Sequence, residues 1–139
     1  MKRAIIYRSF FGRAKQYAEA LRKEIDSDFY KHNQIGRETI RKYDLIVLCS
    51  GTYAGWISIT GFLKKYWEEL QESNVVLIAV GAIPADNPQS IRAYNRLPTR
   101  IQEGIKYFKL PSRVDSKAAD KERKKNLAPI IEYINGVES

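Results

Sequence analysis

Short apolar runs alternate with longer, one-sided amphipathic stretches along the chain. Ala4-Ile5-Ile6-Tyr7, Leu45-Ile46-Val47-Leu48-Cys49 and Val75-Val76-Leu77-Ile78-Ala79-Val80 are apolar at every position. Runs of that kind predict strands covered on both faces. Residues 28–31 predict a brief further strand, and residues 107–110 a last one, ended by Pro111. The segments between them carry the helical period. Tyr17, Ala18, Leu21 and Ile25 share one face of a helix over 14–25. Ile59, Phe62, Leu63, Tyr66, Trp67 and Leu70 do so over 58–70, and Leu127, Ile130, Ile131 and Ile134 over 117–134. Residues 36–42 predict a short helix anchored only by Ile40. Pro88 can open a helix that runs toward Leu97, where Pro98 interrupts it, and Pro129 is expected to kink or divide the last helix.

Alternation of this kind predicts an α/β fold, a parallel sheet with helices on both faces. A length of 139 residues fits a single domain over 1–139. In open sheets of this class, ligands bind in the crevice beyond the carboxyl ends of the strands. Three loops leave such ends, over 8–14, 50–57 and 81–87. All are rich in small residues, which lets backbone approach a ligand.

Charge sharpens the choice of partners. Lys and Arg number 24 against 16 acids, a net charge of +8. Such a chain favours nucleic acid, an anionic membrane surface, an acidic protein or a phosphorylated ligand, and a generally solvated basic surface is the alternative. The densest run, Lys121-Glu122-Arg123-Lys124-Lys125, falls in the last helix and reads as a solvated face. A nucleic-acid role has the charge but not the exposed aromatic strand face of an RNA-recognition domain, so no specific nucleic acid is expected. Cys49 is the only cysteine, which excludes an internal disulfide. It closes an apolar strand with no basic partner nearby, so it reads as a core residue and not as a nucleophile. With His32 as the only histidine, the usual His/Cys zinc sites cannot be assembled within one chain. The first apolar run is too short for a signal peptide or a membrane span, so a cytoplasmic location is expected.

Two of the three loops suggest chemistry. The first feeds a helix N-terminus, where free backbone N–H groups and the helix dipole attract phosphate. Ser9 offers a hydroxyl, Gly12 allows close approach, and Arg13 and Lys15 bring charge; an ordinary strand-to-helix turn is the plain alternative. The second loop, Ser50-Gly51-Thr52-Tyr53-Ala54-Gly55-Trp56, joins hydroxyls, unhindered amides and two aromatics. A flat conjugated ring would be held there by stacking. Packing of Tyr53 and Trp56 onto the sheet edge or a partner protein is the alternative. Gly81 and Ala82 of the third loop supply a further wall. Asp86 and Asn87 read as ligand contacts or as a cap for the helix that begins near Pro88.

These loops, in this order, resemble the flavodoxin-like family. "AIIYRSFFGRAKQYAEAL" is similar to its first strand, phosphate loop and first helix. "YDLIVLCSGTYAGWISITGFLKKYW" carries the Thr-Tyr-Ala-Gly loop that contacts the flavin ring in that family. "VVLIAVGAIPADNP" is similar to a small bacterial branch related to protoporphyrinogen-oxidase-type flavodoxin domains. The resemblance implies a doubly wound flavodoxin-like fold, a five-stranded parallel sheet of order 2-1-3-4-5, that binds flavin mononucleotide (FMN) without a covalent link. By position, Ser9, Gly12, Arg13, Ala14 and Lys15 would surround the phosphate. Thr52, Tyr53, Ala54, Gly55 and Trp56 would line one side of the ring, and Gly81 and Ala82 the other. No side chain is assigned an obligatory catalytic role.

The sequence departs from the family in two respects. Phe11 and Ala14 stand where the phosphate loop usually has hydroxyl residues. Each absent hydroxyl removes a charge-assisted hydrogen bond of roughly 1.5–3 kcal/mol. The basic charge also suits an acidic redox partner or peripheral contact with an anionic membrane, where electron-transfer flavodoxins are commonly acidic. Two functions therefore follow. One is an FMN-binding redox protein for electron transfer or small-substrate oxidation. The other is a flavodoxin fold that has lost FMN and serves as a protein-binding or regulatory module, with Phe10, Phe11, Tyr53 and Trp56 as its contact patch.

Overall fold

The computed structural model describes residues 1–114 and 117–138. Its strands are β1 (Arg3–Arg8), β2 (Asp28–Lys31), β3 (Leu45–Tyr53), β4 (Trp56–Ile57), β5 (Asn74–Gly81) and β6 (Ile105–Pro111). Its α-helices are α1 (Arg13–Glu24), α2 (Arg37–Ile40), α3 (Thr60–Leu70), α4 (Pro88–Asn95), α5 (Thr99–Gly104) and α6 (Ala119–Glu138). The sheet order is β2-β1-β3-β5-β6, every neighbouring pair parallel, while β4 pairs antiparallel with the tip of β3. With that two-residue strand set aside, this is the predicted 2-1-3-4-5 order.

Alternate residues of each central strand enter opposite layers of core. Ile6, Ile46, Leu48, Leu77 and Ala79 face α3 and α5 through Leu63, Trp67, Leu70 and Ile101. Ile5, Val47, Cys49, Val76 and Ile78 face α1 and α6 through Tyr17, Leu21, Leu127, Ile130 and Ile134. That is why the strands are continuously apolar: a parallel sheet covered on both sides has no solvent face to leave polar. Each fully buried aliphatic side chain contributes about 1.5–3 kcal/mol through removal from water.

The elements depart from the expected ones at their ends. β3 continues past Cys49 to Tyr53, because the chain folds back on it through β4. α5 was not foreseen: the chain restarts a helix at Thr99, after Pro98, and β6 begins at Ile105. Pro129 does not divide α6. Pro129 and Lys125, whose carbonyl lacks the usual N–H donor four residues on, are both exposed, so water can serve that carbonyl. The basic run is tied into ion pairs, Lys124 with Glu24 at 3.5 Å and Arg123 with Asp120 at 3.3 Å. Among the described residues, no helix is long and apolar enough to cross a membrane.

One buried hydroxyl ties α1 to the edge strand β6 and to α6 on the same face of the sheet. Tyr17, 1% exposed, donates its hydroxyl to the carbonyl of Pro111 at 2.8 Å and accepts from the Asn126 amide at 3.0 Å. It thereby joins α1, the end of β6 and α6. Tyr17→Phe leaves both groups without their partner and is expected to destabilise the fold by about 1–3 kcal/mol. Urea unfolding of the variant against the wild type measures the loss.

Candidate functional site

The carboxyl ends of β1, β3, β5 and β6 meet at one cavity of about 450 Å³. That lies within the roughly 300–1,000 Å³ usual for cofactor pockets. Ser9, Arg13 and Ala14 line it from the first loop; Thr52, Tyr53, Ala54 and Gly55 from the second; Gly81 and Ala82 from the third. Gly12 is not among the lining residues; it is the N-cap of α1, with φ of +84°. A side chain there would be strained, and glycine lets the strand turn directly into the helix. No side chain caps α1, and its first turn holds no acid. Its first N–H groups are therefore free donors at the cavity.

The second loop is a tight hairpin. Tyr53 and Trp56 face each other across it, and the two residues between them, Ala54 and Gly55, have φ of +51° and +78°. Positive φ at both central positions is the geometry of the type I′ turn, which matches the strand twist. Tyr53 is thus held at the cavity mouth by backbone pairing and not by burial. Phe10 and Phe11 surround it, ring centroids 6.0 and 6.1 Å away. Trp56 lies outside the main cavity and lines a neighbouring groove with Thr60 and Lys64. One face of its indole is covered by the Arg96 guanidinium at 4.3 Å. Lys15 also points away, toward Glu19 at 3.9 Å and the ring of Tyr7 at 5.8 Å.

Internal bonding occupies several candidates. Ser50 is fully buried, its hydroxyl donating to Gly51 O and accepting from Ile59 N. It fixes the start of the hairpin. Asn87 caps α4 by accepting from Gln89 N at 2.9 Å, and Asp86 is exposed outside the cavity. Cys49 is fully buried, and burial pushes its thiol up to about 12, so it has no thiolate near neutral pH. His32 begins a short 3-10 turn after β2, away from the cavity. Burial and the nearby Arg8 and Lys31 lower its pKa, which favours the neutral ring.

Tyr107, Lys109, Ser112 and Arg113 line the cavity as well. The sequence reading passed over them because it followed only the first three strand ends. Their signal was the register: β6 is parallel to β5, with Gly81 opposite Pro111, so its end reaches the same edge. Burial pushes the Tyr107 phenol up to about 12, leaving it a neutral donor. Arg13, Lys109 and Arg113 are cationic, and no Asp or Glu lines the cavity among the described residues.

A model of the flavodoxin domain family matches residues 4–122. The chain belongs to the flavodoxin domain family. No curated protein matches it by sequence. Among solved structures, it is similar to a flavodoxin from the domain Archaea, at 18% identity over 97% of this chain and 99% of the other, with a TM-score of 0.64. Oxidised Flavodoxin 2 from Bacillus cereus is similar at 16% identity over 96% and 99%, with a TM-score of 0.62. A flavoprotein from Lactobacillus acidophilus NCFM, solved in complex with FMN, is similar at 18% identity over 86% and 97%, with a TM-score of 0.55. At these identities the likeness establishes the flavodoxin fold.

Gly81 is the tightest point of the flavodoxin cleft here. A Cβ there would collide with Thr52 Oγ1 and lie 2.8 Å from Lys109 Nζ. At Gly51, a Cβ would meet nothing within 4 Å. Gly81→Ala is therefore expected to destabilise by about 1–3 kcal/mol through overpacking. Gly51→Ala should be neutral or slightly stabilising. The urea midpoints of the two variants, compared with the wild type, decide this.

Proposed function

We propose that the chain is an FMN-binding redox protein, working as a single flavodoxin-like domain in the cytoplasm. It would pass electrons to a protein partner or oxidise a small substrate. The observation that carries this reading is the shared cavity. Three loops converge on it, with uncapped α1 N–H groups and Arg13 on one side and the Gly81 wall on the other.

The residues fit the cofactor. Gly81 lets the side chains of Thr52 and Lys109 approach the end of β5, where they can face a ring held in the cavity. The first turn of α1 offers donors to a phosphate, with Ser9 and Arg13 beside it. Arg13 can grip phosphate oxygens in bidentate fashion, which offsets the hydroxyls absent at Phe11 and Ala14. Thr52, Tyr53, Ala54 and Gly55 would hold one side of the ring, and Gly81 and Ala82 the other. Trp56 contributes by bracing the hairpin that carries Tyr53. When bound, the flavin supplies the two-electron chemistry, and the protein orients the ring and shields it from water.

The net charge of +8 supports an acidic redox partner or peripheral contact with an anionic membrane. The latter would suit the oxidase-related branch that the third loop resembles. A second reading, a cofactor-free binding module, draws on the exposed aromatics. Phe10 is 59% exposed, Phe11 76% and Tyr53 60%, a cluster that suits contact with another protein.

Ligand titration of variants separates these readings. Arg13→Ala should weaken FMN by on the order of 10- to 100-fold while changing riboflavin, which has no phosphate, far less. Equal losses for the two ligands would remove Arg13 from the phosphate site. Tyr53→Ala should weaken both ligands, and more than Trp56→Ala does. The reverse ranking would make Trp56 the stacking ring.

A further inference from the structure

The cations of the cleft differ in their surroundings. Arg13 belongs to the first turn of α1, and Arg113 is exposed beyond the end of β6. Lys109 comes from within β6, opposite Ala79, and is half-buried with no hydrogen bond or ion pair among the described residues. Its Nζ and Thr52 Oγ1 converge on the space above Gly81, the Nζ standing 2.8 Å from where a Gly81 side chain would begin. Tyr107, two residues earlier on β6, lines the same cavity. Burial lowers the pKa of Lys109, as expected of a cation removed from water without a counter-charge. No carboxylate of the described lining can neutralise it. A half-buried charge without a protein partner is costly, and an anionic ligand in the cavity would supply one.

We propose that Lys109 faces the ring end of the bound flavin and favours its negatively charged, fully reduced form. This rests on the flavin reading above. The position argues for the ring and not the phosphate: Lys109 meets Thr52 and Gly81, whereas the phosphate donors are Ser9, Arg13 and the first turn of α1. Two electrons and one proton turn the neutral oxidised ring into one with a single negative charge. The electrons come from a reduced protein partner or, in the test, from dithionite; the proton comes from water. Lys109 keeps its own proton throughout. Its charge attracts the charge that reduction creates, and so raises the midpoint potential.

The test is a reductive titration of FMN-loaded wild type, Lys109→Met and Lys109→Arg with dithionite against reference dyes. Methionine keeps much of the stem and removes the charge. The preference for the reduced ring should fall about tenfold in Lys109→Met, a drop of about 30 mV for a two-electron couple. Lys109→Arg should stay close to the wild type. An unchanged potential in Lys109→Met would overturn the proposal. So would a fall in the ratio of FMN to riboflavin affinity in that variant, which would move Lys109 to the phosphate. A wild-type protein that takes up no FMN would sink the flavin reading itself, and this inference with it, before any potential is measured.

Discussion

In a parallel sheet, each crossover returns the chain to the edge it started from, so every strand ends at the same side. Free backbone groups and loop side chains from strands far apart in sequence are thereby gathered at one edge. Here β1, β3, β5 and β6 all end there, and residues from 9 to 113 line one cavity. The arrangement holds only while the sheet is buried on both faces, where a polar residue is costly unless it finds a partner, as Ser50 does. Cys49 shows the consequence. It lies within β3, four residues before the strand ends at the cavity, and belongs wholly to the core.

The hairpin adds a second constraint. A two-residue turn with positive φ at both positions fixes Tyr53 and Trp56 as a cross-strand pair. Their exposure follows from backbone geometry before any ligand is considered. Gly55 is needed at its position, and Ala54 holds a conformation unusual for a residue with a Cβ. Strain of that kind gathers at ligand clamps. The indole of Trp56 has its own partner in Arg96, which leaves Tyr53, Phe10 and Phe11 as the exposed aromatics at the main cavity, with Tyr107 deeper in its wall.

Much of this was legible in the sequence. Continuous apolar runs gave the strands, helical periodicity gave α1, α3 and α6, and together they gave the α/β class; the sheet order came from the family resemblance of the loops. The loop positions gave nine of the residues that line the cavity: Ser9, Arg13, Ala14, Thr52, Tyr53, Ala54, Gly55, Gly81 and Ala82. What escaped was set by tertiary placement. α5 is only six residues long, too short for a periodic signal. Which way a side chain turns at the start of α1 or across the hairpin is not legible in the sequence, so Lys15 and Trp56 lie outside the cavity although neighbouring residues line it. Lys109 is a polar residue in a mostly apolar strand, and only the register of β6 against β5 sets it beside Gly81.

The cavity thus combines free helix N–H groups, a glycine wall and three cations with no described acid among them. Such a lining suits an anionic ligand with a flat ring, and the central claim is that this ligand is FMN. The visible absorption of the purified protein, followed by titration with FMN, tests it most directly. The account predicts flavin bands in the protein as isolated, or saturable uptake of added FMN with a shifted spectrum. A colourless protein that leaves the absorption and fluorescence of added FMN unchanged would contradict it.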